Sequence, residues 1–372
     1  MATKYYYSQA SGDNDGTSEA NAYTDLQTAL NALSAGDHLY CKRHTSREGV
    51  KTTNLTFTTS SNTNAGNTIV EGYQTTPGDG GMYQTFSPVY FNAEGVELRY
   101  FDVDADGDST PSISMRGDGS VAYRCKAVNS YAFGNAMDII DASAIECFAQ
   151  GTVTSANDQV FLCNRGTMVN CVVIIDAASG SAGAAIEASS SFRQNQIINC
   201  LIVNEDGAES HVGIRASGSS TSAQTYTNNT IYNFDLGIEF VEGVTTSRMV
   251  TPCTIYGNLI YSVAKGIKMT QNTNSNNFGI NAYQNVFGAV TSAQSDTIAS
   301  GNLDPITLTE NPFIDTTNFQ LNNAPGGGAL VKGKLGIPDP LDPSKLTSLV
   351  RTDFQSSGGV APNPVGEVSR SF

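Results

Sequence analysis

Tryptophan is absent from the 372 residues, histidine occurs three times, and charged residues make up only 15% of the chain. Each shortage excludes something. Without tryptophan, the commonest aromatic platform of a carbohydrate groove is missing. His38, His44 and His211 are scattered, and no Ser-His-Asp phrase accompanies them. No CxxC pair occurs among the seven cysteines, so zinc spacing is absent. No apolar run reaches the length of a membrane span, and no glycine loop is built to cradle phosphate. Basic residues are outnumbered, 20 Lys and Arg against 35 Asp and Glu, for a net charge of −15. Nothing would neutralise a phosphate backbone, which argues against a nucleic-acid partner.

What is present is a repeat. Arg124-Cys125-Lys126, Glu146-Cys147-Phe148, Asn170-Cys171-Val172 and Asn199-Cys200-Leu201 are followed by Asn228-Asn229-Thr230, Gly257-Asn258-Leu259 and Gln284-Asn285-Val286. Arg99-Tyr100-Phe101 reads as an earlier copy. With the middle residue as marker, the positions are 100, 125, 147, 171, 200, 229, 258 and 285, in steps of 25, 22, 24, 29, 29, 29 and 27. The apolar runs between Gly, Ser, Asn and Asp are short and rich in Val, Ile, Tyr and Phe, and helical periodicity is missing. This predicts a solenoid, a parallel β-helix whose loops vary while its strands keep register.

The marker column has its own chemistry. Cys125, Cys147, Cys171 and Cys200 are expected on one inward line, continued by Asn229, Asn258 and Asn285. Thiols suit a narrow interior, and stacked Asn amides can bond up and down the ladder. Seven is an odd number, so the thiols are read as reduced, in a chain folded in a cytoplasm. Met1 to Tyr5 shows no apolar core of a secretory signal. Thr24 is read as the N-cap of a short helix through Leu33, whose stripe Leu26, Ala29, Leu30 and Leu33 would cover the open end of the solenoid. A second column, Glu187, Arg215, Glu239 and Lys268, alternates in sign and reads as a stabilising charge ladder.

Residues 5–40 then resemble the N-terminal cap of right-handed parallel β-helix proteins of the pectate-lyase-like superfamily, near its alginate lyase and chondroitinase B branch. The phrases are Tyr-Tyr-Ser-Gln-Ala-Ser-Gly-Asp-Asn-Asp-Gly-Thr, Leu26-Gln27-Thr28-Ala29-Leu30 and Ala35-Gly36-Asp37-His38-Leu39-Tyr40. Thr68 to Gly80 and Asn311 to Leu321 fit the same branch, so the likeness spans about residues 5–330. It implies an all-β, right-handed parallel β-helix, with an N-terminal cap and its helix (1–45) and the helix proper (46–330); where the repeats stop, the Pro- and Gly-rich composition reads as an extended tail (331–372). It implies no single activity, because the superfamily holds lyases, hydrolases, epimerases, phage tailspikes and phage capsid decorations.

Lyases of that branch use a Lys and Arg pair, often with Ca²⁺ on clustered carboxylates. The candidates here are Arg99, Arg124, Lys126 and Glu146 beside the markers, although the branch's own pair maps onto no definite positions. Asp102, Asp104, Asp106 and Asp108 form a DxDxDG-like stretch suited to Ca²⁺, but an EF-hand would need Glu where Ile113 stands. In the Pro- and Gly-rich tail, Leu346, Leu349, Val350 and Phe354 form an apolar patch with no repeat to join, and are read as a partner-binding element. The expectation from these features is a phage virion structural protein, a capsid decoration or cement protein on the particle surface. It would be homotrimeric and bound to the major capsid protein or another virion protein, with no membrane and no resident cofactor beyond Ca²⁺. The alternative is a tailspike-like or polysaccharide lyase-like protein that binds or cleaves a glycan.

Overall fold

The computed structural model describes residues 2–49, 54–59, 67–105, 109–129, 134–178, 183–189, 194–206, 210–218, 224–242, 253–270, 280–295, 302–303, 305–316 and 319–334. The tail residues Leu346, Leu349, Val350 and Phe354, and Asp106 and Asp108 of the acidic stretch, lie outside them. The chain divides into two compact units, Met1–Glu187 and Ala188–Phe372.

In the first unit the strands pair in parallel along three lines. The first line runs Thr3–Tyr6, His38–Lys42, Thr68–Tyr73 and Val96–Arg99, then the second halves of Ile113–Tyr123 and Met137–Ile145, then Thr167–Val169. The second line runs Tyr83–Thr85, Phe101–Asp104, Lys126–Asn129, Phe148–Val153 and Val172–Ala178. The third runs Leu55–Phe57, Val89–Asn92, the first halves of Ile113–Tyr123 and Met137–Ile145, and Gln159–Asn164. The second unit repeats the scheme, for example Asn195–Ile198, Gln224–Thr227 and Cys253–Tyr256 on its first line and Leu201–Asn204, Thr230–Glu242 and Leu259–Thr270 on its second. The parallel β-helix expected from the repeat is the fold of both units.

Strand alternation puts one set of side chains inside. Leu98, Ala122, Ala144 and Met168 share a register line and are fully buried, as are Ile202, Ile231, Ile260 and Phe287 in the second unit. Burial of each large aliphatic chain contributes about 1.5–3 kcal/mol. The marker residues lie in this interior. Cys125, Cys147, Cys171, Asn229, Asn258 and Asn285 are all 0% exposed, and all seven cysteines are free thiols. One marker shifts. Lys126 pairs with Asp102, so the residue level with Cys125 is Phe101, not Tyr100. Tyr100 is the corner residue, one position before the inward Phe101.

Thiol and amide markers use the same acceptor. Cys125 donates to Leu98 O (3.4 Å), Cys147 to Ala122 O (3.3 Å) and Cys171 to Ala144 O (3.4 Å). In the second unit Asn229 Nδ2 donates to Ile197 O (2.9 Å), Asn258 to Tyr226 O (2.9 Å) and Asn285 to Ile255 O (3.0 Å). Each acceptor lies three residues before the preceding marker. The amides do more than the thiols. Asn229, Asn258 and Asn285 each accept, through Oδ1, the backbone N–H of the preceding marker at 2.9, 3.0 and 3.1 Å.

The N-terminal end is closed. Helix Leu26–Asn31 buries Leu26, Ala29 and Leu30, and its N-cap is Asp25, whose carboxylate accepts from Thr28 N at 2.7 Å. Thr24 is not the cap, because its N–H and hydroxyl are taken by Asn14 Oδ1. The helix also stops two residues before Leu33. The outer edge of Thr3–Tyr6 is covered by bonds to Gly16 and Tyr23, which removes a free strand edge. At the other terminus a short helix, Gly328–Lys334, spans the boundary where the sequence suggested only extended chain. Among the described residues no helix is long and apolar enough to cross a membrane.

Candidate functional site

The residue before each marker turns the corner. Tyr100, Arg124, Glu146 and Asn170 in the first unit, and Asn199, Asn228, Gly257 and Gln284 in the second, have φ between 50° and 65°. That is the left-handed region, which Asn and Gly visit most cheaply. The Asn and Gly recurrence just before the marker was the signal for this corner. It also explains why Arg124 and Glu146 stand outward on adjacent rungs: each sits on the bend, with its marker turned in.

These corners border an outward strip on the first strand line of the Met1–Glu187 unit. Arg124 Nε lies 2.5 Å from Glu146 Oε2, and the guanidinium stands over the Tyr123 ring at 5.3 Å. Burial works against the Arg124 charge, but the Glu146 carboxylate outweighs it and holds Arg124 above its ordinary value. Tyr123 is level with Arg99. Arg99 donates to Glu97 at 2.9 Å and lies 3.7 Å from Glu71, while Asn67 donates to the other Glu97 oxygen at 2.8 Å. Glu71 also faces His38 Nε2 at 3.2 Å, and the His38 ring packs on Tyr40 with centroids 3.9 Å apart. Burial, with Glu146 beside it, pushes the Tyr123 phenol up, and burial with Glu71 does the same for Tyr40. Both therefore stay protonated at neutral pH and are hydrogen-bond donors, not bases.

Of the four residues read as acid–base candidates, the structure brings together Arg99, Arg124 and Glu146. Lys126 is beyond the corner, on the second strand line between Asp102 and Phe148, with its ammonium 5.5 Å over the Phe148 ring. The acidic stretch has another occupation. Arg47 forks onto Asp102 at 3.0 and 2.9 Å, Gln84 donates to the same carboxylate at 2.9 Å, and Arg47 Nε stands 4.0 Å from Asp104. With its oxygens engaged by a cation, Asp102 does not fit a Ca²⁺ ligand. No cluster of three metal-ligating side chains occurs among the described residues. The charge ladder holds in the second unit: Glu239 lies 3.5 Å from Arg215 and 3.1 Å from Lys268 on the neighbouring rungs.

Sequence reading missed one further cluster. Tyr6 and Tyr83 donate to Glu48 Oε2 at 2.8 and 3.0 Å, and Ser8 donates to its other oxygen. Burial pushes both phenols far up, with Glu48 the next cause for Tyr6 and the Tyr6 phenol the next for Tyr83. The partners sit in three separate segments, so no local motif announced them.

The site thus belongs to a parallel β-helix whose outward strip is lined by tyrosine and by arginine–carboxylate pairs. No family model matches the chain, and no curated protein matches it. Solved structures similar to it include pectate lyase Pel9A, at 12% identity over 75% of this chain and 79% of that one, with a TM-score of 0.46. A rhamnogalacturonan lyase is similar at 12% identity over 88% and 94%, TM-score 0.44. A PL6 alginate lyase in complex with a trisaccharide is similar at 14% identity over 90% and 68%, TM-score 0.41.

Proposed function

We propose that the protein is a structural β-helix of a phage particle surface, a decoration or cement protein of the capsid, assembled as a homotrimer on the major capsid protein. The observation that carries this reading is the mutual commitment of the outward charges. Arg124 is held by Glu146, Arg99 by Glu97 and Glu71, and Arg215 and Lys268 share Glu239. A general base must stand free to reach a substrate proton. These groups instead neutralise one another along the strand ladders, which favours a structural role for each unit. The seven buried free thiols agree with folding in a reducing compartment, where phage proteins are made.

The alternative, a tailspike-like or lyase-like protein that cleaves a glycan, has one observation in its favour. Arg99, Tyr123, Arg124 and Glu146 share an outward strip. Three measurements separate the readings. Purified particles labelled with an antibody to this chain should carry it on the capsid in threefold clusters, and sedimentation of the free protein should give a trimer. The protein should release no unsaturated uronate product from alginate or polygalacturonate. Release that disappears in Arg124→Ala would replace the structural reading with the lyase.

A further inference from the structure

The marker thiols of the first unit lie in a straight file. Cys125, Cys147 and Cys171 hold the same register position on three successive rungs, with Phe148 N donating to Cys125 O and Val172 N to Cys147 O, each at 2.9 Å. Each sulfur meets an equivalent pair of carbonyl oxygens. Besides its acceptor on the preceding rung, Cys125 contacts Tyr123 O at 3.5 Å, Cys147 contacts Ile145 O at 3.4 Å and Cys171 contacts Val169 O at 3.4 Å. Equivalent contacts mean one rotamer on all three rungs, so the sulfurs repeat at the strand spacing of about 4.7–4.9 Å. All three are fully buried. In the second unit Asn fills this column and bonds more fully, so rung packing alone does not require a run of thiols.

We propose that this file is a linear, two-coordinate site for a soft d¹⁰ cation of the Cu(I), Ag(I) or Hg(II) class. Two metal–thiolate bonds of about 2.3 Å laid end to end span about 4.6 Å, close to the gap between adjacent rungs. Soft thiolates select soft ions. Two competing fates fit less well. A disulfide would need adjacent sulfurs to close to about 2.05 Å, well under the strand spacing. Zn²⁺ would need four ligands around a tetrahedron, and a straight file converges on no point. Charge decides how many ions enter. Leu98, Ala122 and Ala144, whose carbonyls the thiols meet, are fully buried aliphatic residues, and a net charge in such an interior is costly. Hg(II) displaces the protons of two thiols and leaves a neutral pair. Cu(I) or Ag(I) displaces one proton and takes the second sulfur as a neutral thiol. The file therefore holds one Hg(II), with the third thiol still protonated.

The test uses the full chain with Cys200→Ala, so that Cys125, Cys147 and Cys171 are the only thiols left in the marker column. It is refolded without oxygen in the presence of Hg(II), then washed with glutathione, which strips ions held by lone thiols, and desalted. Elemental analysis should find about one Hg(II) per chain, and X-ray absorption should show two sulfur neighbours at about 2.3 Å. Adding Cys147→Ala leaves Cys125 and Cys171 about 9.6 Å apart, too far for one ion, so retention should fall about tenfold or more. Adding Cys125→Ala or Cys171→Ala instead leaves one adjacent pair and should keep the ion. Sulfur with a packing role alone predicts no difference between the middle of the file and its ends. Circular dichroism checks the fold of each variant. Should the variants fail to fold, X-ray absorption of the loaded wild type decides: two sulfur neighbours support the site, and oxygen or nitrogen neighbours, or three or more sulfurs, overturn it. Absence of retained Hg(II), or equal retention in a folded Cys147→Ala and in the end variants, would also overturn the proposal.

Discussion

Asn258→Ala tests the interior ladder. The Asn258 side chain makes four bonds: it donates to Tyr226 O and Asn285 Oδ1, and its Oδ1 accepts from Asn229 N and Asn229 Nδ2. After truncation, Asn229 Nδ2 keeps Ile197 O, and Asn285 Oδ1 keeps the Asn258 backbone N–H. The buried Asn229 N–H loses the acceptor that the side chain supplied, and the Tyr226 carbonyl gives up one bond. At about 1–3 kcal/mol for an unsatisfied buried group, the cost is about 1–3 kcal/mol. For a unit of this size that corresponds to a fall in Tm of roughly 2–12 °C. Asn258→Cys is the informative control. Cysteine fills the same column in the first unit and donates to the equivalent carbonyl, but it is a weak donor and offers no amide oxygen. The expected order of Tm by calorimetry and circular dichroism is wild type, then Cys, then Ala. An Ala variant within about 1 kcal/mol of wild type, or one more stable than Cys, would refute the claim that the column is held by side-chain bonding.

The remaining predictions are independent of that one. Thiol titration should find seven free groups in denaturant and almost none in the native protein, because all seven thiols are buried away from the reagent. Three disulfides would contradict the ladder. Burial raises the Asp79 carboxyl, but the N–H groups of Thr75, Thr76, Gly81 and Gln74 outweigh it and hold Asp79 at about 2. Its folded value lies below the unfolded 3.8, so its contribution is complete above pH 3.8 and is lost as pH falls through about 2. Amide exchange at Thr75, Thr76 and Gly81 should lose that acid-dependent protection in Asp79→Asn. Arg124→Ala with Lys126→Ala should cost about 1 kcal/mol or less in denaturant unfolding, since both side chains are partly exposed. Gly72→Ala should cost about 3 kcal/mol, as an added Cβ would lie 2.1 Å from Tyr100 O and 2.5 Å from Tyr83 N.

The sequence made the architecture legible because the solenoid repeats its physics every rung. The Cys and Asn markers stack, the inward Leu, Ala and Ile lines follow from alternation, and Arg215, Glu239 and Lys268 meet as their signs suggested. The errors fall where the repeat is broken. Tyr100 reads as a marker because Phe101 breaks the Cys pattern, and Thr24 reads as a cap before Asp25 because both residue types cap helices. The candidate site was half legible. Arg99, Arg124 and Glu146 were found from their place beside the markers. The corner that sends Lys126 to another strand line was not read, although the Asn residues at the same position recorded it. Pairs such as Arg47 with Asp102, or Glu48 with Tyr6 and Tyr83, join segments outside the repeat, and spacing has nothing to say about them.

The Asn column has a direction. Each Asn oxygen receives the N–H of the marker before it, so a rung's own marker amide waits for the following rung. During synthesis the chain emerges in that same order, and every new coil completes the one already laid down. A chain cut between coils would end on a buried amide with no acceptor, at about 1–3 kcal/mol. After Asn285 the level position is Pro305, which has no amide side chain to continue the column. The ladder therefore carries its own full stop, and elongation past that rung gains nothing from the column that drove it.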